Sequence, residues 1–384
     1  MPSSRPDIAP LRVAYLAVEA PREGHATYAH VHEIVEGLRR QGIEVVLFSP
    51  RQASLDRAPG IVGRLFEQLR VQARLVARWR HFDAIYVRAH YTAFPTAMLA
   101  KLTRRPLVQE VNGPFADVFI AHPWTRTLRP LLTSVYWLQL AWAKAVITVT
   151  PSLRTWIERQ TARHDVDVIP NAANLDLFSP DRPNTHALPA RFVVFFGSLT
   201  AWQGVETLVA ALARPEWPED LHLVILGDGR LRDVVAAAAA RYPRLHWLGQ
   251  LPYAEVGGIV ARAVAGLVPK NAQGDRQDTG LFPLKLFEIL ACGVPVVVTD
   301  FPGQADFVRE HDCGIVIPPE SPEALAGAVR ALATAPSQAR ALGDRGRTVI
   351  VSAHTWAHRA DDTARVLRRV SPSRTLEQPL HRFN

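Results

Sequence analysis

The hydrophobic positions of the chain fall into short apolar runs that alternate with segments of helical period. Residues 11–18 are apolar and β-prone. After a polar loop, the apolar positions of residues 28–41 recur at spacings of three and four, which is typical of one face of a helix. Residues 44–48 form a second apolar run. A strand, a helix and a strand in this order form the building unit of a doubly wound parallel sheet.

The alternation continues along most of the chain. Further strands are predicted at residues 82–90, 106–114, 145–149, 191–199, 221–226, 245–248, 263–268 and 294–299, with a short edge element at 313–319. Further helices are predicted at residues 63–80, 205–213, 231–241, 283–292 and 357–370, with another helix after the turn at 150–152 and a helical pair at 321–342. The pattern predicts an α/β protein with two Rossmann-like domains and parallel sheets.

One proline- and asparagine-rich segment interrupts the pattern, and we interpret it as a linker between the domains. The predicted division is an N-terminal domain at residues 1–170, a linker at 171–190, a second domain at 191–356, a helix at about 357–370 and a flexible tail at 371–384. A length of 384 residues fits two domains of ordinary size.

Composition narrows the class of protein. Hydrophobic residues make up 48% of the chain, but no run of eighteen or more uncharged apolar residues occurs, so no membrane-spanning helix is predicted. Two cysteines, Cys292 and Cys313, lack metal-ligand spacing and favour a reducing cytoplasm. The net charge of +8 favours anionic partners such as nucleotide sugars or phospholipid head groups. We do not predict a nucleic acid partner.

The most specific chemistry lies in residues 279–300. Pro283 suits the first position of a helix, and Gly293 followed by Pro295 ends that helix. Free backbone amides at a helix start can bind an anion. Lys285 in the first turn opposes the helix dipole unless an anion compensates it, and Glu288 lies on the same face. The alternative is that the two residues form a surface pair at i,i+3 spacing.

These residues, with the Ala-Cys-Gly-Val-Pro-Val-Val run that follows, resemble the retaining nucleotide-sugar glycosyltransferases of the two-domain GT-B fold, in particular the large family four. That family has two glutamates with seven residues between them. Glu288 matches the second, which the resemblance implies binds the ribose of the nucleotide, while Gly280 stands at the first. The resemblance implies two domains facing each other across a cleft, with the acceptor on the first and the nucleotide sugar on the second.

The resemblance also extends to a phosphate loop after the strand at 191–199. In the family an arginine follows the first glycine of this loop and a lysine precedes the second, whereas this chain has Ser198 and Gln203. We therefore expect Lys285 or Lys270 to supply the cation. The predicted donor-binding residues are Gly24, Gly197, Ser198, Gln203, Lys270, Asp278, Gly280, Leu281, Phe282, Lys285 and Glu288.

Two first-domain strands end in polar residues, where a parallel sheet places its ligand. His90, Glu110 and Asn112 are therefore candidate catalytic residues. Asn112 stands where the resembled family often has a histidine. The alternatives are a capping role for His90 and a turn at Asn112.

Two segments suggest peripheral contact with an anionic membrane. Arg70, Arg74 and Arg78 line up four residues apart on the helix at 63–80, and residues 115–142 combine aromatic and basic side chains. The alternatives are a solvated helix face and an ordinary helical core. No metal site or cofactor is predicted, because the Asp165 and Asp167 pair leads directly into a strand.

The resemblance implies a glycosyltransferase that moves a sugar from a nucleoside-diphosphate sugar to a saccharide, lipid-linked or small-molecule acceptor with retention. We expect no required metal, because the sequence has no credible cluster of metal ligands. It would act in the cytoplasm or at the inner face of the membrane. Two alternatives stay open. One is a catalytically silent relative that binds a saccharide or a partner protein, and the other is a nucleotide-sugar epimerase of the same architecture.

Overall fold

The computed structural model describes residues 9–20, 26–50, 60–115, 119, 123–272 and 279–371. It contains two six-stranded parallel sheets, which confirms the predicted α/β architecture. The first sheet consists of β1 (Arg12–Leu16), β2 (Glu44–Phe48), β3 (Ala84–Arg88), β4 (Leu107–Val111), β5 (Ala145–Thr148) and β6 (Val166–Val168). The second consists of β7 (Phe192–Phe196), β8 (His222–Leu226), β9 (Leu245–Trp247), β10 (Gly266–Val268), β11 (Val296–Thr299) and β12 (Gly314–Ile317).

Helices connect the strands in both domains. The first six are α1 (Ala26–Arg40), α2 (Ile61–Ala77), α3 (Phe94–Leu102), α4 (Arg129–Trp142), α5 (Pro151–Thr161) and α6 (Val205–Leu212). The others are α7 (Arg232–Arg241), α8 (Tyr253–Val260), α9 (Leu284–Ala291), α10 (Gln304–His311), α11 (Pro322–Thr334), α12 (Pro336–Ala353) and α13 (Trp356–Val370). Short 3₁₀ turns lie at Trp79–His81, Tyr91–Ala93, Pro123–Leu128 and Ala201–Gln203.

Both sheets are buried on both faces, as their continuous apolar strands require. All five residues of β4 and of β7 are buried, and separate apolar clusters cover the two faces of each sheet. The strand orders are β2-β1-β3-β4-β5-β6 and β12-β11-β10-β7-β8-β9. The winding direction reverses between β1 and β3 and between β7 and β10. Ligands bind outside the carboxyl ends of the strands at such reversal points.

The last helix, α13, packs on α1 of the first domain. Gly37 permits this close approach, because a Cβ at that position would lie 2.5 Å from the Cβ of Ala360. Arg359 of α13 reaches the backbone oxygens of Ile169 and Pro170, which follow β6. Helix α13 is thus fixed to the first domain.

Three helices were not predicted from the sequence: α3, α8 and α10. Helix α8 was not predicted because it contains two adjacent glycines, and glycine disfavours helices. A Cβ at Gly257 would lie 1.9 Å from the oxygen of Leu177, and one at Gly258 would lie 2.1 Å from the oxygen of Pro183. The glycines therefore allow α8 to pack against the chain that joins the domains. Helix α10 begins at Gln304, after Gly303, which has a φ of 87°.

Candidate active site

A cavity of about 470 Å³ lies between the carboxyl ends of the two sheets. The loops that follow β7, β8 and β10, together with the start of α9, form its second-domain wall. The ends of β3 and β4 and the start of α1 form its first-domain wall. Both winding reversals therefore face one cavity, where a doubly wound sheet places its ligand.

Helix α9 places two charged side chains in the second-domain wall. The sequence predicted Pro283 as the first residue of the helix, but it lies immediately before the helix. All eight residues of α9 are buried. Asn171 of the linker donates from Nδ2 to the backbone oxygen of Phe282 at 2.5 Å, which fixes the approach to the helix. Lys285 and Glu288 line the cavity.

Lys285 contacts the loop that resembles a phosphate loop. Its Nζ donates to Oε1 of Gln203 at 3.1 Å, and Nζ of Lys270 donates to the same oxygen at 2.6 Å. Lys285 also lies 4.0 Å above the ring of Phe195, and Lys270 lies 4.1 Å above the ring of Trp202. Gln203 therefore gathers two lysines at the point where the resembled family has its own lysine.

Glu288 is held by a residue that sequence analysis missed. The hydroxyl of Tyr253, in the first turn of α8, donates to Oε1 of Glu288 at 2.6 Å. Burial raises the pKa of Glu288 to about 7, and burial lowers the pKa of Lys285 to about 7. The charges of Lys285 and Glu288 attract each other, but among the described residues neither side chain forms an ion pair, and both are buried. The surface-pair alternative is therefore wrong.

Glycines bring the backbone close to the cavity. Gly197 has a φ of 126° and Gly227 a φ of 129°, and a Cβ at Gly227 would lie 1.9 Å from the oxygen of Gly197. The two loops after β7 and β8 pack backbone against backbone because neither has a side chain at this point. A Cβ at Gly197 would lie 3.0 Å from Nζ of Lys285.

Gly280 occupies a conformation that explains the missing glutamate. Its φ is 74°, a left-handed value that favours glycine. A Cβ there would lie 3.1 Å from Oγ1 of Thr150 and 3.3 Å from Cβ of Ser152, both in the first domain. Oγ1 of Thr150 also donates to the oxygen of Thr279 at 3.2 Å. The position of the resembled family's first glutamate is therefore a close contact between the domains.

The structure separates the predicted site residues into three groups. Those that line the cavity are Gly197, Ser198, Gln203, Lys270, Gly280, Leu281, Phe282, Lys285, Glu288 and Asn112. His90 and Glu110 do not line it. Gly24 and Asp278 lie outside the residues that the structure describes.

Glu110 belongs to a buried network and not to the cavity wall. Its Oε1 accepts from Nη2 of Arg359 at 2.5 Å and lies 2.9 Å from Nε2 of His30. Although burial alone would raise the pKa of Glu110, His30 and Arg359 hold it well below its usual range. Burial lowers the pKa of His30 to about 4, so the ring is neutral near pH 7. The structure therefore places Glu110 behind the cavity wall, and its catalytic role stays a prediction.

His90 has the capping role that was its alternative. Its Nδ1 accepts from the backbone amide of Thr92 at 3.3 Å, at the start of the turn Tyr91–Ala93. Burial lowers the pKa of His90. Because its ring serves the turn and not the cavity, we assign His90 no catalytic role.

Two family models match the chain and together cover most of it. The model described as Glycosyltransferase Family 4 matches residues 29–177, and the model described as Glycosyl transferases group 1 matches residues 190–335. The chain is a glycosyltransferase of the GT-B fold, with a Family 4 domain followed by a group 1 domain.

Curated relatives of this glycosyltransferase include two mycobacterial proteins. Alpha-maltose-1-phosphate synthase of Mycolicibacterium smegmatis is 27% identical over 60% of this chain and 64% of that protein. The chain thus matches slightly less than two thirds of that relative. Phosphatidyl-myo-inositol mannosyltransferase of Mycobacterium leprae is 26% identical over 79% of this chain and 82% of that protein.

A solved structure of Anabaena HepE in complex with UDP and glucose shares the fold. It superposes on the glycosyltransferase with a TM-score of 0.69 and 17% sequence identity, and the match covers 93% of this chain and 99% of that chain. The likeness extends over both domains and supports the GT-B architecture.

Several cavity residues of the glycosyltransferase were not predicted from the sequence. The main ones are Thr27, His30, Arg88, Asn171, Trp202 and Tyr253. Arg88 was detectable, because it lies near the end of the predicted strand at residues 82–90, which runs toward the ligand edge. Within the described ranges, no group of three or more His, Cys, Asp or Glu side chains is placed to hold a metal ion.

Proposed function

We propose that this glycosyltransferase moves a sugar from a nucleoside-diphosphate sugar to an acceptor hydroxyl in the cavity between its domains. The observation that carries this proposal is the placement of Lys285 and Glu288, buried without an ion pair, at a winding reversal of the second sheet. Buried charges of this kind are costly in the absence of a ligand. A bound molecule that carries both phosphate and hydroxyl groups would satisfy them.

The proposed donor has one orientation against the second-domain wall. The ammonium groups of Lys285 and Lys270 would face the diphosphate, and the glycine loop at Gly197 would let the diphosphate approach the backbone. The carboxylate of Glu288 would accept hydrogen bonds from the two ribose hydroxyls, with Tyr253 holding its other side. The bound UDP of Anabaena HepE supports a nucleoside diphosphate as the ligand.

The transfer step needs no protein nucleophile. The bond between C1 of the sugar and the β-phosphate oxygen breaks, and its electron pair stays on the phosphate. The acceptor hydroxyl oxygen forms the new bond to C1 and gives its proton to a phosphate oxygen. The lysines stabilise the charge that develops on the leaving group. Retention of configuration is proposed from the family resemblance. Independence from a metal is proposed because the sequence has no credible cluster of metal ligands.

Donor turnover tests this proposal against the two alternatives. A thermal-shift panel of UDP, GDP, ADP and CDP first identifies the base. The matching nucleotide sugars are then incubated with the protein, alone and with a mixture of saccharides and total lipid extract. A glycosyltransferase releases nucleoside diphosphate faster when acceptor is present. An epimerase would change the donor sugar without release, and a silent relative would bind without turnover, so either result contradicts the proposal.

We also propose that α2 contacts an anionic lipid surface. Large apolar side chains at Val62, Leu65, Phe66, Leu69 and Val76 are exposed at the spacing of one helix face, and Val62 and Phe66 are 82% and 65% exposed. This face lies opposite the one that packs into the domain through Val71 and Leu75. Amphipathic helices of this kind lie in the membrane interface.

The charges beside this apolar face select an anionic lipid. Arg70 and Arg74 flank it, and Arg78, Arg80 and His81 line a groove of about 580 Å³ next to Val76. By contrast, the aromatic segment predicted as a membrane contact packs mainly inward, with Phe119 and Tyr136 buried. Within the described residues, no helix combines the length and hydrophobicity needed to cross a bilayer.

Vesicle sedimentation tests this contact. The protein is expected to sediment at low salt with vesicles that contain phosphatidylglycerol and to stay in solution with pure phosphatidylcholine. Replacing Leu65, Phe66 and Leu69 by serine should abolish sedimentation. Replacing the exposed Val234 and Val351 of the second domain should leave it unchanged. Failure of the wild-type protein to sediment would refute the contact.

A further inference from the structure

Arg88 places a positive charge in the wall of the cavity opposite the lysines. It is the last residue of β3, next to the winding reversal of the first sheet, and it lines the cavity. Its guanidinium is half-buried. Among the described residues, no carboxylate forms an ion pair with Arg88. Glu110, the carboxylate of the adjacent strand, binds Arg359 and His30 instead. The charge is therefore available to a ligand.

A chain of buried contacts fixes the direction of this guanidinium. Nη1 of Arg88 lies 3.1 Å from Nδ1 of His30, and Nε2 of the same ring lies 2.9 Å from Glu110. Because His30 is neutral, it donates from Nε2 to Glu110 and accepts at Nδ1 from Arg88. Arg359 holds Glu110 from the other side. One guanidinium nitrogen is thus anchored, and the remaining donors are left for the cavity.

Asn112 adds an unused amide to the same wall. It follows β4, the neighbour of β3 in the sheet, and it lines the cavity. Both its Oδ1 and its Nδ2 are buried, and neither has a hydrogen-bond partner among the residues that the structure describes. Native proteins rarely leave both ends of a buried amide unsatisfied unless a water or ligand completes them. Together with Arg88, this amide offers donors to an oxyanion.

We infer that Arg88 and Asn112 form a subsite for an anionic group, phosphate or carboxylate, on the acceptor. This inference rests on the proposed glycosyl transfer and names the acceptor class. Arginine binds phosphate and carboxylate through paired, charge-assisted hydrogen bonds. The acceptor is favoured over the donor as the source of the anion, because Lys270 and Lys285 already face the diphosphate from the opposite domain.

A calorimetric titration with the donor site already occupied tests the subsite. The protein is saturated with the nucleoside diphosphate that it binds, so that the lysines are occupied, and sn-glycerol 3-phosphate is then titrated by calorimetry. Glycerol serves as the neutral probe. Wild type is expected to bind the phosphate and not glycerol. The Arg88→Gln variant should bind the phosphate about 10–100-fold more weakly, because charge-assisted bonds are lost. Arg88→Lys should recover part of the affinity.

Three results would overturn the inference: no phosphate binding to the loaded wild type, equal binding by Arg88→Gln, or a loss of nucleoside diphosphate affinity in Arg88→Gln. The last would assign Arg88 to the donor. Arg159→Gln, an exposed change on α5 of the same domain, is the matched control and should bind both probes as wild type does.

Failure of the proposed function is recognised separately. If no nucleoside diphosphate binds, that function fails, and the titration is repeated on the unliganded Lys285→Met variant. There, Arg88→Gln decides the subsite by the same criterion. Thermal unfolding of each variant checks that the fold is intact.

Discussion

Each wall of the cavity is associated with one buried carboxylate and one buried basic side chain. In the first wall the two form an ion pair, and in the second wall they do not. Glu110 and Arg359 bind each other directly behind the first wall. Lys285 and Glu288 lie within one turn of α9 in the second wall and form no ion pair. Glu110 keeps its charge, whereas burial moves the pKa of both Lys285 and Glu288 to about 7.

The comparison shows which buried charges serve the fold and which serve a ligand. A paired carboxylate in the interior stabilises a particular arrangement, here the return of α13 to the first domain. Two buried charges without an ion pair cost stability until a ligand compensates them, and perturbed pKa values of this kind cluster at functional sites. The predictions below test this difference.

Breaking the buried pair of Glu110 and Arg359 behind the first-domain wall should have the largest effect on stability. Glu110→Ala leaves Arg359 buried without its carboxylate, so we expect a loss of about 3–5 kcal/mol in the free energy of unfolding. Urea denaturation measures it. Arg369→Ala, which breaks the exposed pair with Asp167, should cost less than about 1 kcal/mol. A similar small loss for both variants would remove the distinction between the walls.

Removing the charge of Glu288 from the second-domain wall should instead increase the stability of the fold. Glu288 has a folded pKa raised from 4.5 to about 7, so the folded state binds more protons between these values and loses stability as pH rises through 7. Glu288→Gln removes this cost, so the variant should be more stable than wild type by about 1–3 kcal/mol at pH 8. The gap should close toward pH 4.5. A variant that is less stable at pH 8 would show that Glu288 supports the fold.

Nucleoside diphosphate affinity should depend on the protonation of Lys285. Its pKa is about 7 in the free protein, and an anion must raise it, so binding above pH 7 takes up a proton. The affinity should fall by up to about tenfold per pH unit above 7. Calorimetry at pH 7, 8 and 9 measures this slope. Lys285→Arg keeps its charge and should show a flat profile; a slope equal to that of wild type would assign the proton elsewhere.

A smaller effect concerns the contact between the walls at Gly280. Gly280→Ala places a side chain in a left-handed conformation against Thr150, which should cost about 1–2 kcal/mol. Gly327 lies inside α11 with no atom within 4 Å of an added Cβ, so Gly327→Ala should instead stabilise by about 0.5–1 kcal/mol. Thermal unfolding compares the two. Equal shifts would mean that Gly280 is not constrained by the contact.

The sequence revealed those features that depend on near neighbours. Lys285 and Glu288 were found because the helix signals and the charges lie within a few residues of each other, and β2 was predicted at its observed bounds. Both domains were evident because each strand and helix repeats a local period.

The missed features depend on contacts between distant residues. Tyr253 binds Glu288 across 35 positions, and Arg359 binds Glu110 across 249 positions. No local pattern indicates such pairs. Glu110 looked catalytic because it ends a strand near the ligand edge, but alternate residues of a strand point to opposite faces of the sheet, and its side chain turns to the buried network.

Calorimetric binding of the nucleoside diphosphate to Lys285→Met and Glu288→Ala tests the central claim most directly, with Arg241→Met on α7 as the control. We predict that both cavity variants stay folded and bind at least about tenfold more weakly than wild type, while the control binds equally well. Unchanged affinity in both cavity variants would contradict the assignment of this wall to the donor.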